Sequence, residues 1–178
     1  GLSNTSINAL ETLASEAAMA IYNARLYKDS QDKHRMEEQL SIAREIQQAL
    51  LPQRNRDLPH ARVCSQSLPC YEIGGDYFDY FDLEDGRFGF ALGDVAGKGL
   101  PAALLASLIQ GIFSAQSLVE APLDAIIGNV NRNIARRSTG SRFVTFFFGI
   151  LDADGNCTYV NAGHNPPFIL RRDGSMEE

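Results

Sequence analysis

Apolar residues recur at helical spacing near the start of the chain. Leu10, Ala14, Ala17, Ile21 and Ala24 are separated by 4, 3, 4 and 3 positions, which is a heptad-like stripe. The stripe lapses over KDSQDKHR, residues 28–35, and resumes with Met36, Leu40, Ala43, Ile46 and Leu50. From residue 6 to about residue 50 there is neither Gly nor Pro. Ala, Leu, Glu, Gln and Arg dominate, so one continuous helix is predicted, with Ser6 as its N-cap and Pro52 as its stop. At 1.5 Å per residue it is roughly 65 Å long. A small domain cannot bury both stripes of such a helix. It is therefore expected to link two domains and to pair with a second copy of itself, its polar middle solvated. A surface helix of the main domain is the alternative.

Beyond Arg54 the pattern shortens. ARVCSQSL (61–68), DYFDYFDL (76–83) and RFGFALGD (87–94) read as strands, the last two joined by a hairpin turn at Glu84-Asp85-Gly86. PAALLASLIQGIFSAQS (101–117) reads as a helix, with Pro101 tolerated in its first turn. PLDAIIGNVNRNIARR (122–137) is a second helix, with Leu123, Ile126, Ile127, Val130 and Ile134 on one face. RFVTFFFGILD (142–152) is apolar enough for a strand buried on both faces, and Asp152–Asn156 turns it into CTYVNAG (157–163), with PPFILRR (166–172) after it. The order β-β-β-α-α-β-β-β predicts an α+β fold with helices packed on a sheet.

Composition narrows the function classes. The chain has 178 residues, 44% of them hydrophobic and 21% charged, in the range of an ordinary soluble globular protein. Its net charge of −6 argues against a nucleic-acid binder. No uninterrupted apolar run reaches the about 20 residues that span a membrane, and the N-terminus lacks the pattern of a signal peptide. Cys64, Cys70 and Cys157 form no C-x-x-C pair. A cytoplasmic location with reduced thiols, core or half-buried, is expected.

The candidate chemistry lies in glycine-flanked acids. GDVAGKG (93–99) looks like a phosphate cradle, but a Walker A loop needs Gly at Leu92 and Ser or Thr at Gly99. A Rossmann fingerprint fails as well. DADGN (152–156) opens like a calcium loop, but Gly163 stands where the twelfth-position Glu belongs, so a hairpin turn is expected. A metal reading of GDVAGKG is stronger. If residues 76–83 pair with 87–94 through the turn at 84–86, partner numbers sum to about 170, so Asp76 of GGDYFD (74–79) faces Asp94. Two opposed carboxylates call for a cation between them, and hard divalent ions suit such ligands. The flanking glycines leave room for water and for a main-chain carbonyl.

These pieces resemble the stage II sporulation protein E-type phosphatases, within the type 2C, metal-dependent (PPM) protein serine/threonine phosphatases. The matching segments are AREIQQALLP (43–52), GGDYFD (74–79), GDVAGKGLPAAL (93–104), FVTFFFGILD (143–152) and NAGHNPP (161–167). The helix ALETLASEAAMAIYNARLY (9–27) resembles the last helix of a GAF sensor domain. The resemblance implies a β-sandwich flanked by helices, with two divalent cations, Mn²⁺ or Mg²⁺, activating water for attack on a phosphoserine or phosphothreonine. Asp94 would be the bridging ligand, the Val95 carbonyl a ligand of one metal, and Asp76 a ligand of a metal or of its waters. The implied substrate is an anti-sigma-factor antagonist. The implied organisation is a sensor tail and dimerising linker helix over 1–52 and the N-terminal part of a phosphatase domain over 53–178.

Two departures qualify the resemblance. The family's further metal-binding aspartates come from strands near its C-terminus, and nothing up to Glu178 matches them; Asp173 reads as a turn. The chain is thus expected to be C-terminally truncated, with weak metal binding. Ala96 stands where some relatives carry an acid-catalytic histidine. Lys98 either steers phosphate or is a solvated loop residue, and His164 is expected to hold the NAGHNPP turn. The rival readings are a non-catalytic phosphoprotein-binding module and a helical dimerisation scaffold.

Overall fold

The computed structural model describes residues 3–69, 71–83, 86–117, 121–137 and 142–178. Cys70 and the turn residues Glu84 and Asp85 lie outside the described residues. The chain divides into two compact units, residues 1–43 and 44–178.

The first unit is helical. Helix α1 runs Asn4–Leu50 without a break, its last turns belonging to the second unit. It starts before the predicted cap: Ser3 Oγ accepts from the Ser6 amide at 3.2 Å, and the Ser3 carbonyl accepts from Ile7 at 3.0 Å. Ser3, not Ser6, therefore relieves the unpaired first-turn amides. In the polar stretch Lys33 pairs with Glu37 at 3.7 Å and His34 lies 3.5 Å from Glu38, both at i,i+4 spacing. The apolar stripe faces solvent: Leu10 is 54% and Ile21 57% exposed.

The second unit is built on β3 (Asp76–Asp82), β4 (Phe88–Val95), β5 (Val144–Leu151) and β6 (Cys157–Ala162). They form an antiparallel sheet in the order β3-β4-β5-β6. Two ribbons flank them in sequence, β1 (Arg56–Asp57) with β2 (Arg62–Val63) and β7 (Ile169–Leu170) with β8 (Met176–Glu177). Helices α2 (Leu100–Ser117) and α3 (Leu123–Arg137) join β4 to β5. Of the sandwich implied by the resemblance, the described residues supply this one sheet and its helices.

Alternation assigns the two sheet faces. Tyr77, Ala91, Val95, Phe146 and Phe148 form the helix-side core with Ala102, Ala106, Ile109 and Phe113 of α2 and Ile126 and Val130 of α3. Phe113 is fully buried and meets Phe146 and Phe148 at centroid distances of 4.9 and 5.0 Å. The cross-strand neighbour of Phe81 is Gly89, and any Cβ there would lie 1.9 Å from the Phe81 ring. On the other face Phe147 stacks between Phe90 and Tyr159.

Among the described residues, α2 is the one helix whose length and composition match a membrane span. Its buried residues Ala102, Ala106, Ile109 and Phe113 instead belong to the core against the sheet.

Several expected elements change. Of ARVCSQSL only Arg62–Val63 is strand. Residues 64–69 keep an in-out alternation of burial, but among the described residues no neighbouring strand completes a ladder. PPFILRR contracts to Ile169–Leu170, closed by a turn at Asp173-Gly174 in which Gly174 has φ +86°. The thiols also differ from expectation. Cys64 and Cys157 are both free and exposed, one in that unladdered segment and one at the start of the edge strand β6.

Candidate metal centre

The site is set by the hairpin register. Asp76 opens β3, Asp94 sits near the end of β4, and the two are direct cross-strand partners, as are Tyr77 with Gly93 and Phe78 with Leu92. Partner numbers sum to 170, as the hairpin predicts, and directly opposed residues share a face. Both aspartates are exposed, and among the described residues neither carboxylate accepts a hydrogen bond or an ion pair. The Asp76 carboxyl is pushed above its ordinary pKa by burial and by the Asp94 charge, and His164 pulls the other way. Opposed carboxylates with no hydrogen-bond or ion-pair partner among the described residues form a site that a cation would relieve.

The backbone beside the pair is closely packed. A Cβ at Gly75 would stand 3.0 Å from the Val95 carbonyl oxygen and 3.2 Å from Ala102 Cβ. A side chain at 75 would crowd the end of β4 and the start of α2, so glycine suits this close approach. The Gly75 carbonyl accepts from the Val95 amide at 3.3 Å, tying the GGD turn to the end of β4. The loop continues through Gly97 and Gly99, with φ of +117° and +69°, into α2, whose first amides at Ala102 and Ala103 reach the Gly99 carbonyl at 3.1 Å. The glycines thus shape a turn, and Lys98 is an exposed loop residue with no ion pair among the described residues.

Asp76, Asp94 and the Val95 carbonyl are hard oxygen donors that fit Mg²⁺ or Mn²⁺. Among the described residues no group of three or more His, Cys, Asp or Glu side chains converges on one point. Octahedral coordination at this edge would thus draw on water or on further residues.

The second acid of GGDYFD has a different part. Asp79 lies on the helix side, where Tyr77 donates to it at 2.8 Å and the Tyr80 amide at 2.8 Å. Burial, and then the Asp79 charge, push the Tyr77 phenol far above its ordinary pKa. Asp152 of DADGN is likewise consumed, by the amides of Asp154 and Asn156 and by the Asn156 side chain. It closes the expected hairpin turn.

Two contacts were not legible in the sequence. Gln47 clasps the GGD turn: its Nε2 donates to the Gly74 carbonyl at 2.8 Å, and its Oε1 accepts from the Gly74 amide at 3.2 Å. Gln47, Leu51, Gly74, Asp76 and Phe78 line a cleft of about 180 Å³. The one sequence signal was a glutamine among apolar positions at the end of α1. Thr145 is the other, the cross-strand partner of Asp94 on β5, 2.9 Å from His164 Nδ1.

Replacing Asp76 with Asn is expected to stabilise the metal-free protein at pH 7 by about 0.2–1 kcal/mol, the cost of opposed like charges. A carboxyl with a raised folded pKa favours folding below its unfolded pKa and loses that contribution as pH rises through the folded value. The gain should therefore shrink on acidification. Thermal melts in EDTA at pH 7 and pH 4 check this; equal gains at both would overturn it.

The fold and site define an α+β protein in which two exposed carboxylates stand directly opposite each other on paired strands. The sequence profile of the Stage II sporulation protein E (SpoIIE) family matches residues 84–178. The chain belongs to this family. It is 32% identical over 133 residues to the phosphoserine phosphatase RsbU of Bacillus subtilis, covering 73% of this chain and 39% of RsbU. It is 29% identical over 164 residues to protein IcfG of a Synechocystis strain, covering 76% of this chain and 26% of IcfG. The RsbU and RsbW domains of Rv1364c from Mycobacterium tuberculosis superpose with a TM-score of 0.54 at 30% identity, covering 61% of this chain and 30% of that one. The chain thus spans about a quarter to two fifths of these curated relatives.

Proposed function

We propose that this chain carries part of a metal-dependent phosphoserine/phosphothreonine protein phosphatase of bacterial, cytoplasmic signalling. The observation that carries the reading is the Asp76–Asp94 couple, two directly opposed carboxylates with no hydrogen-bond partner among the described residues. The name of the relative RsbU, a phosphoserine phosphatase, supports the reaction class. Asp94 and Asp76, with the Val95 carbonyl, hold two divalent cations, Mn²⁺ or Mg²⁺. When bound, such ions supply Lewis-acid stabilisation and an activated water. The chain's own residues position that chemistry: the β3–β4 register sets Asp76 opposite Asp94, and glycine at 75 lets the GGD turn pack close to the Val95 carbonyl. The substrate is a phosphorylated anti-sigma-factor antagonist, and an upstream sensor acts through α1.

The exposed apolar stripe of residues 10–24 pairs with a second copy, and the signal changes how residues 36–52 dock. Gln47 is the contact through which docking reaches Gly74 and so Asp76. Gln47→Ala is expected to weaken Mn²⁺ binding about tenfold, the order expected for losing a paired hydrogen bond. Calorimetric Mn²⁺ titration measures it; unchanged affinity would separate the helix end from the site.

Release of phosphate from a phosphoserine protein substrate, with Mn²⁺ and with EDTA, tests the activity in this chain and in a longer one that includes any further aspartates. A second reading is a module that binds a phosphoprotein without hydrolysing it. It is favoured by the absence of a three-ligand cluster among the described residues. Binding of the phosphoprotein with no turnover in either form would select it.

A further inference from the structure

The connection after β6 carries an imidazole that the metal reading leaves unused. Asn161 locks this turn: its Oδ1 accepts from the His164 amide at 2.8 Å, and its Nδ2 donates to the His164 carbonyl at 3.0 Å. Gly163, with φ +75°, makes the bend. All of these involve main-chain atoms of residue 164, so the turn does not depend on a histidine side chain there.

The imidazole has its own placement. Its Nδ1 lies 2.9 Å from Thr145 Oγ1. Thr145 is the cross-strand partner of Asp94, which is the partner of Asp76. Three adjacent strands thus set Asp76, Asp94 and Thr145 in one row, and His164 extends it. The Thr145 hydroxyl also lies 3.5 Å from the Asp94 carbonyl, so the 2.9 Å contact to nitrogen is its better hydrogen bond. In the tautomer in which Thr145 donates to Nδ1, the proton of the neutral ring sits on Nε2. Among the described residues Nε2 has no hydrogen-bond partner, and His164 completes no three-ligand cluster with the aspartates.

We propose that His164 binds the phosphoryl group of the substrate, its Nε2–H donating to a phosphoryl oxygen beside the Asp76–Asp94 edge. The inference rests on the phosphatase reading above and adds a residue to the substrate side of that site. A row of acids repels a phosphate ester, and a fixed N–H donor beside the row gives one of its oxygens a partner. Thr145 is the positioning residue that sets the tautomer.

The test uses the whole chain with Mg²⁺ or Mn²⁺ and two probes, inorganic phosphate and p-nitrophenyl phosphate. His164→Ala is expected to weaken phosphate binding, read by ³¹P NMR with Mg²⁺, about tenfold or more, the order set by one hydrogen bond to a charged group. KM for the ester should rise by a similar factor with a smaller change in kcat. Mn²⁺ affinity and Tm should stay at the wild-type values. His164→Gln, which keeps an N–H donor, should recover part of the loss, and Thr145→Val should show a milder form of it. Unchanged phosphate affinity in His164→Ala overturns the proposal, as does a loss of Mn²⁺ affinity, which would make His164 a metal ligand. A wild-type chain that takes up no Mn²⁺ overturns the metal-site reading and this inference with it. Wild-type uptake of both ions, matched by His164→Ala, overturns this inference alone.

Discussion

Asp94→Asn is expected to lower Mn²⁺-dependent phosphate release by about a thousandfold and to weaken Mn²⁺ binding. The estimate follows from the several kcal/mol that a bound divalent ion contributes to stabilising transition-state charge, at 1.36 kcal/mol per tenfold in rate. Asparagine keeps the size and one oxygen but removes the charge, so packing at the strand edge is preserved. Asp94 is exposed and its side chain has no partner among the described residues, so folding should not suffer. Removing one of two opposed charges should even raise the metal-free Tm. Loss of activity with a raised Tm in EDTA therefore identifies a functional carboxylate. Initial rates, calorimetric Mn²⁺ titration and thermal melts provide the three readouts. An Asp94→Asn protein that binds Mn²⁺ and turns over like wild type would remove the catalytic reading of GDVAGKG.

The largest effect on stability is expected at Phe113. This α2 side chain has no exposed surface and touches rings from two strands, Tyr77 and Phe81 of β3 and Phe146 and Phe148 of β5. Truncation to Ala removes those contacts and leaves a cavity that a helix on a sheet cannot readily collapse. The expected cost is about 3–5 kcal/mol, or a fall in Tm of roughly 10 °C for a chain of this size. Urea unfolding measures the cost directly. Phe143, 63% exposed, is the control, and its replacement by Ala should stay within about 0.5 kcal/mol of wild type. Equal effects at the two positions would contradict the packing of α2 on the sheet. Because Tyr77 follows Asp76, loosening this core should also weaken Mn²⁺ binding.

Much of the site was legible because a hairpin is local. Once the turn between Leu83 and Arg87 is placed, strand geometry alone carries Asp76 to Asp94. The Leu83 amide bonds the Arg87 carbonyl at 2.9 Å and the register follows. The same locality made Asp152–Asn156 readable as a turn, since Asp152 bonds only residues within four positions of itself. The segment 61–68 failed for the opposite reason. Its alternation was real, but a strand needs a partner, and among the described residues the sheet order leaves none beside residues 64–69. The N-cap moved from Ser6 to Ser3 because both are serines at the edge of one helical run. Only the backbone path selects between them.

The sequence by itself determined the α+β class, the unbroken helix over residues 6–50 and the pairing of Asp76 with Asp94. Each depends on periodicity or on a short turn, and so on residues near one another in the chain. Only the tertiary structure decided that Gln47 clasps Gly74, that Thr145 stands beside Asp94, and that the His164 ring leaves its own turn to meet Thr145. Those contacts join positions 19 to 51 residues apart. Thr145 meets Asp94 because the order β3-β4-β5-β6 lays β5 beside β4 across the two intervening helices, and the pattern of hydrophobic positions along one strand does not say which strand will lie next to it.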